Sequence, residues 1–553
     1  MFSQKITALL YLLSTATVLQ AQDSLLLRDY QFVKRSDPWL VSLNAAALTR
    51  YATINMAQAE VNVRRSKGDF TDFFDSPNVL QANASVESFY RLSPKAVVYG
   101  AMSYDNFSGK DMAGSAFMPL PADADMFSQK QSHLPFDLVE DSLSNTGTKH
   151  RDIYRLTGGV GCSVLGDASL GLRLSYTSAN YAKYKDLRHK NKLMDLQLSA
   201  GIYVPVSCWL SLGAHYLYHR NTESVLFSTY GKNDKVYKTL VDYAAFTGPV
   251  EQFGSTGFTD KSREMPLVND YHGVGAQLCI QLAGFRFYNA FSYAHRSGYY
   301  GRKSPYTITY TGHKSHVYDY SARLSYEAPQ VNCHLDVAIQ AENLKNEANT
   351  YRELQNTSGA TYYEYYAPVK TANKLWTDGH IALTVDLLRP DSQPFTSPRW
   401  TFQAGMDWQH QKHTAYQYPF YRRQKLSSQS WFASATHHLL TSSGLWSFSG
   451  RYAFTQGSDM PFEDFTFQTP SDKQAMPATM EAYLYRQYEY LTAPQYTVSG
   501  QVKYTFMLPA THLQSHVALT LSHHKANGSL MTDMTQRSGR DHTAAALSLG
   551  CTF

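Results

Sequence analysis

Between Met194 and Val204 the chain alternates without a break. Met194, Leu196, Leu198, Ala200, Ile202 and Val204 are apolar, and Asp195, Gln197, Ser199, Gly201 and Tyr203 stand between them. A strand turns successive side chains to opposite faces, so this spacing yields one apolar and one polar face. A helix would need apolar residues three and four apart. The same pattern runs through 168–176, 333–342, 400–409 and 496–506. Strands are expected near 53–66, 80–92, 96–108, 151–164, 168–182, 192–205, 209–224, 270–283, 285–298, 317–327, 332–345, 375–387, 399–413, 427–440, 445–458, 494–508, 513–528 and 541–553. The count is about 18, between roughly 16 and 20, and even, as a single-chain bacterial barrel requires.

The connections alternate in length. Ser93–Lys95, Leu165–Asp167, Val206–Cys208, Ala328–Val331, Thr441–Gly444 and Pro509–His512 are tight, whereas 109–150, 225–269, 346–374 and 459–493 are long and polar. Short periplasmic turns and long external loops produce that rhythm, and a β-sandwich has no reason for it. The expected fold is therefore all-β, a transmembrane antiparallel up-and-down β-barrel. Mean hydropathy is −0.38, which suits strands that face lipid on one side only. After the first 21 residues no apolar run reaches the roughly 18 residues of a transmembrane helix. In the bilayer a free sheet edge leaves backbone groups without partners, so the sheet must close.

Three regions follow. In residues 1–21, Lys5 precedes the apolar stretch Ile6–Leu19 and Ala21 offers a cleavage site, the layout of a cleaved secretory signal. Residues 22–52 form an N-terminal segment, either a periplasmic tail or a plug inserted in the lumen through Asn44, Ala45, Ala46, Ala47 and Leu48. Residues 53–553 are the barrel, whose last strand puts Leu547, Leu549, Cys551 and Phe553 on one face. The expected location is the outer membrane of a Gram-negative bacterium.

Parity assigns the lumen. Glu60, Arg64, Arg173, Asp195, Asp336, Glu342, Asp386, Asp407, Arg451 and Lys503 are expected to face inward, giving a polar lining of mixed charge. A barrel of this size has an interior wider than its own side chains fill. His215, His219 and His334 share that face, but no third ligand completes a metal site with them. The five cysteines fit no zinc or disulfide framework. No GxSxG, HExxH or phosphate loop is present, and the glycines at 158, 159 and 161 read as bending or close packing. No cofactor is expected, and the dispersed net charge of +5 gives no nucleic-acid face. Tyrosine, with 41 copies, crowds 299–310 and 360–367, as in girdles or binding surfaces.

The terminal aromatic strand resembles the signal that the barrel-assembly machinery recognises. The Ala-Gln ending of the leader, the tyrosine-rich strands and Phe553 together resemble Bacteroidota outer-membrane barrels of unknown function. That resemblance implies a fold and a location, and a setting near TonB-dependent transporters. Asn44–Leu48 resembles the Asn-Pro-Ala-Gly-Leu-like element that opens long-chain fatty acid transporter barrels, with Ala45 where that family has proline. The functional expectation is a channel or transporter for small solutes, with outer-membrane lipid around it; the resemblance to fatty acid transporters implies hydrophobic ones. The alternatives are a non-enzymatic accessory barrel binding a TonB-dependent transport or secretion complex through its tyrosine-rich loops, and an outer-membrane enzyme. A lumen blocked by the N-terminal segment and the loops would favour the accessory barrel; a lateral opening or a continuous water path would favour transport.

Overall fold

The computed structural model describes residues 29–51, 55–119, 133–140, 145–230, 234–254, 258–259, 261, 264–389, 397–458, 460–508, 513–527 and 539–553. The leader expected over 1–21 and the turn expected at Pro509–His512 lie outside them.

Eighteen antiparallel strands close into one barrel. They are β1 (Met56–Lys67), β2 (Asn78–Ser93), β3 (Ala96–Met112), β4 (Gly147–Leu165), β5 (Ala168–Lys183) and β6 (Arg188–Pro205). Then come β7 (Leu210–Ser228), β8 (Met265–Leu282), β9 (Phe285–Ser304), β10 (Thr307–Glu327), β11 (Val331–Ala348) and β12 (Val369–Leu387). The last six are β13 (Trp400–Gln417), β14 (Phe420–Thr441), β15 (Gly444–Ser458), β16 (Gln495–Leu508), β17 (Leu513–Ala526) and β18 (Asp541–Thr552). Each pairs with its neighbours in sequence, and β1 closes on β18 from Gln58↔Thr552 to Lys67↔Thr543. Phe553 continues the seam, exchanging backbone hydrogen bonds with Ala57. Closure leaves no edge strand, which is the condition for spanning a membrane with sheet.

The outside of the wall carries the apolar alternation. Val61, Val63, Leu170, Leu172, Leu174, Leu519 and Leu521 are all exposed on it. A continuous apolar belt of this extent far exceeds what a protein leaves to water, so lipid covers it. At the end with the short turns the belt is bounded by aromatic pairs, Phe285–Tyr326 at 4.7 Å, Trp400–Phe402 at 5.5 Å and Trp446–Tyr504 at 4.5 Å. At the other end tyrosine hydroxyls meet polar partners: Tyr104 donates to Asp152 at 2.7 Å, and Tyr216 and Tyr293 pair with His272 and His316 at 2.7 and 2.8 Å. Rings that bury one side and hydrate the other belong at the two membrane–water interfaces.

All eighteen expected segments are strands, but several run further outward than the alternation marks. β10 begins at Thr307 rather than near 317, β12 at Val369 rather than 375 and β14 at Phe420 rather than 427. Beyond the lipid, hydrogen-bonded ladders persist while the outward face no longer needs apolar residues. Residues 299–310 consequently form the top of the β9–β10 hairpin, whose tip exposes Tyr306 while Tyr300 and Tyr310 are buried. Residues 361–365 do project, paired with 351–355 in a small exposed hairpin.

Candidate functional site

The lumen is occupied from both ends. At the periplasmic end lie α1 (Tyr30–Ser36), α2 (Pro38–Val41) and a 3-10 turn (Ala45–Arg50). Each starts on a side-chain cap: Asp29 accepts from the Phe32 N–H, Asp37 from Trp39 and Asn44 from Ala46. Such caps satisfy amides that a short helix cannot pair internally. Trp39 is fully buried and meets Tyr203 and Tyr288 edge-on at 5.1 and 5.2 Å.

The wall makes room for this segment with glycine. Gly161, Gly171 and Gly201 are in register on β4, β5 and β6. A Cβ at Gly171 would stand 2.0 Å from the Ala46 nitrogen, and one at Gly161 or Gly201 would meet the Ala45 carbonyl oxygen or Asn44 at 2.5 or 2.1 Å. Gly159 lies against Leu48, whereas Gly158 meets nothing and faces away. The glycines thus mark close packing, as strand glycines often do. Around this flat floor the segment is tied by polar contacts. Asn44 donates to the Ile202 carbonyl at 2.9 Å and to Gln277 at 3.0 Å. Arg173 donates to the Ser42 carbonyl and Ser199 to that of Leu43. Lys34 pairs with Glu87 at 3.0 Å and Arg35 with Asp386 at 3.5 Å, while Arg323 reaches the Arg35 carbonyl.

At the extracellular end the long connections pack into one cap. Residues 137–140 pair with 238–242, which pair with 250–252; 247–248 pair with 478–479. The helix α3 (Glu481–Thr492) packs Tyr483 and Leu484 against Phe73 and Phe246. Inward-facing wall residues grip the cap by its backbone. Lys149 donates to the Ser115 carbonyl, Asn191 to that of Ala116, Arg296 to that of His133 and Lys374 to that of Leu134, while Glu223 accepts from the Met118 N–H. Arg296 is fully buried, 2.8 Å from Glu342 and 2.7 Å from Asn269. Glu342 also accepts from Ser315 at 2.6 Å and meets His133 at 2.7 Å, and the His133 ring stacks on Trp376 at 4.1 Å. A loop peptide is thereby clamped by charged side chains that are buried away from water.

Beside the N-terminal segment is a cavity of about 670 Å³, with Arg35, Ser42 and Leu43 in its lining together with Phe291, Tyr320, Ile339 and Trp408 of the outward-facing parity. Asp319, Asp336, Asp378 and Asp407 line it with Arg323, His380 and several Gln and Ser side chains. Asp336 is paired with Arg323 at 2.5 Å and Asp407 with His380 at 2.5 Å.

The residues assigned to the lumen by parity divide among these parts. Arg173 and Asp386 hold the N-terminal segment, and Asp336 and Asp407 line the chamber. Glu342 anchors the cap. Asp195 is committed to His219 at 2.7 Å, and Glu60 to His516 at 3.5 Å. Arg451 lies 3.9 Å over the Phe432 ring. Arg64 and Lys503 share the parity of Glu60 and Gln501, on strands β1 and β16. Ala45, Ala46, Ala47 and Leu48 are buried in the 3-10 turn. Leu547, Leu549 and Phe553 are exposed on the outer face of β18, with Cys551 partly so. His215 and His219 are hydrogen-bonded to Gln277 and Asp195, His334 lies 3.6 Å from Asp336, and among the described residues no group of metal-ligating side chains comes together. Sequence reasoning did not single out the cap's anchors Lys149, Asn191, Glu223, Arg296 and Lys374. Glu223 and Arg296 lie in expected strands, where their inward parity was legible, whereas Lys149, Asn191 and Lys374 lie on outward extensions of strands beyond the expected bounds; the loop partners of all five were not legible.

The profile of a family of unknown function, DUF6850, matches residues 45–553. The chain belongs to that family. The match takes in the 3-10 turn and all eighteen strands. No curated protein matches the sequence. Among solved structures, this DUF6850 barrel is similar to the ferric preacinetobactin receptor BauA from Acinetobacter baumannii, with 8% identity, a TM-score of 0.39 and coverage of 91% of this chain and 80% of that one. It is also similar to the outer membrane transporter YddB from Escherichia coli (8%, 0.38, 91% and 81%) and to a Pseudomonas aeruginosa FadL homologue (11%, 0.33, 94% of each chain).

The cap of this DUF6850 chain carries its own pH dependence. Burial pushes Asp137 up to about 6 and Asp242 up to about 7, against the opposing pull of Ser115 on the first and Lys374 on the second. A carboxyl raised above its unfolded value holds a proton in the folded state that the released loop gives up. Docking is therefore strongest in acid, weakens as pH rises from about 4 to about 7, and is flat above that. Amide exchange of 137–140 and 238–242 is expected to quicken over that window, and Asp242→Asn to flatten the trend.

Proposed function

We propose that this protein is a gated outer-membrane passage for small polar solutes, closed in the conformation described here. The observation that carries the reading is the chamber of about 670 Å³ beside the chain's own N-terminal segment, with Asp319, Asp336, Asp378 and Asp407 in its lining, while further out the loop cap is gripped by Arg296. That volume falls within the roughly 300–1,000 Å³ of small-molecule sites. Its carboxylates, imidazoles and amides offer hydrogen bonds to a polar cargo, beside the apolar contact of Tyr288, Phe291 and Ile339. Passage requires the N-terminal segment to leave its glycine floor and the cap to loosen at Arg296. No catalytic step enters this reading. Insertion is proposed to run through β18, whose exposed Leu547, Leu549 and Phe553 fit recognition by the barrel-assembly machinery.

A second reading is supported by the closure of both ends and by the exposed hairpin 351–365, which presents Tyr351 and Tyr365, with exposed Tyr366 next to it. There the barrel is a scaffold that docks a TonB-dependent transport or secretion complex. Single-channel conductance in planar bilayers separates the two. The intact protein is expected to be silent, and protein lacking residues 29–51 to conduct. Silence in the truncated form, even with Arg296 also replaced, would overturn passage and leave the scaffold.

A further inference from the structure

The outward face of the wall changes character just beyond the extracellular tyrosines. On β10 and β11, Lys314 and Lys345 are directly paired across the strands, and on β13 and β14 so are Lys412 and Lys425. Each lies on the lipid-facing parity of its strand: Lys314 with exposed Tyr318, Lys345 with Ile339, Lys412 with Phe402 and Lys425 with Trp431. Like charges directly opposite in a sheet repel and are normally avoided. Here the arrangement occurs twice, on two hairpins, and none of the four lysines is in an ion pair among the described residues. An anion seated between the two ammonium groups would relieve that repulsion.

Position identifies the anion. Lys314 and Lys412 lie four residues outward of Tyr318 and Trp408, about 13 Å along the strand and about 10 Å in height at the usual tilt. Lysine stems are long enough to reach back toward the interface. That is the headgroup layer of the outward-facing leaflet. Lys345 and Lys412 stand on strands separated by β12 and are offset by two residues in register, so from strand spacing and rise these nearest members are about 12 Å apart and the pair centres about 16 Å apart, a difference that leaning lysine stems can take up. Two phosphate-sized cationic sites at that separation match a headgroup with a phosphate at each end of a disaccharide.

We propose that Lys314–Lys345 and Lys412–Lys425 bind the two phosphates of one bisphosphorylated glycolipid in the outer leaflet. The site fixes a lipid against the β10–β14 wall, outside the lumen. It rests on the transmembrane fold and not on passage, so it stands or falls independently of conductance.

The test is native mass spectrometry of the detergent-solubilised full chain titrated with bisphosphorylated lipid A, with fully dephosphorylated lipid A and with inorganic phosphate. The expected result is retention of the bisphosphorylated lipid, at least about tenfold weaker retention of the dephosphorylated one, as loss of charge-assisted hydrogen bonds implies, and no displacement by inorganic phosphate. Replacing all four lysines with serine is expected to weaken retention by a similar factor, and replacing them with arginine to preserve it. Heat-modified gel migration reports whether each variant is folded; if the fourfold variant is not, K314S/K345S and K412S/K425S are read separately. Equal retention of the two lipids, or unchanged retention in folded serine variants, would overturn the proposal, and displacement by inorganic phosphate would overturn the lipid as its source.

Discussion

Replacing Gly171 with valine is expected to unseat the N-terminal segment while leaving the barrel folded. The added Cβ would stand 2.0 Å from the Ala46 nitrogen and 2.3 Å from the Ala45 carbonyl carbon, both backbone atoms that no rotamer change can move aside. One of the two layers must shift. The wall at Gly171 is flanked on both sides by paired strands, with Gly161 of β4 and Gly201 of β6 opposite it, within hydrogen-bonded ladders that run the length of the strands. The segment is held by isolated polar contacts and a few buried rings. Overpacking of this kind typically costs about 1–3 kcal/mol, and the weaker layer gives way. A cysteine placed at Ala46 should change from protected to reactive toward a water-soluble thiol reagent, and trypsin should cut after Lys34 and Arg50. Gly158→Val, where a Cβ meets nothing, should leave both readouts unchanged. Protection of Ala46Cys in folded Gly171→Val protein would mean that the wall, not the segment, is the softer layer.

Arg296→Met is the substitution with the largest expected effect at the other end. The guanidinium is fully buried and holds Glu342, Asn269 and the His133 carbonyl at once. Removing one partner of a buried ion pair leaves the other charge unpaired, at a cost of about 3–5 kcal/mol. Ser315 and His133 still bond Glu342 but do not replace the lost charge, and the loop peptide at 133–134 loses its tie to β9. Residues 133–140 are expected to gain fast amide exchange and become protease-sensitive, with the strands still protected. Arg296→Lys should restore little, because one ammonium cannot serve three acceptors in the planar fork geometry of arginine. Unaltered exchange at 133–140 would show that the apolar packing of Phe117, Phe136 and Tyr300 holds the cap without the ion pair.

How much of this was legible differs by layer. The wall was open to reading because lipid on one side and water on the other impose a two-residue period on every strand. Met194–Val204 carries it as plainly as any segment. The period failed where its cause ended: β10 and β14 extend past the lipid, so Thr307–His316 and Phe420–Leu426 are strand without alternation of the lipid-facing kind. Glycine told part of its story. Gly159 and Gly161 could be read as close packing, but the row Gly161–Gly171–Gly201 exists only once the register of β4, β5 and β6 is known. Lysine pairing on the outer face is hidden for the same reason, since Lys314 and Lys345 are 31 positions apart and meet only through register.

By itself the sequence determined that this chain is a closed antiparallel barrel and which face of each strand looks inward, because period-two patterning and the need to satisfy every backbone group in lipid leave no other solution. Only the tertiary structure decided what the lumen contains. Whether Asn44–Leu48 lies on the wall, and whether loops some hundred residues apart gather over Arg296, depends on contacts between side chains and distant backbone. Such contacts are single, aperiodic and made by residue types that occur throughout the chain, so no local pattern announces them.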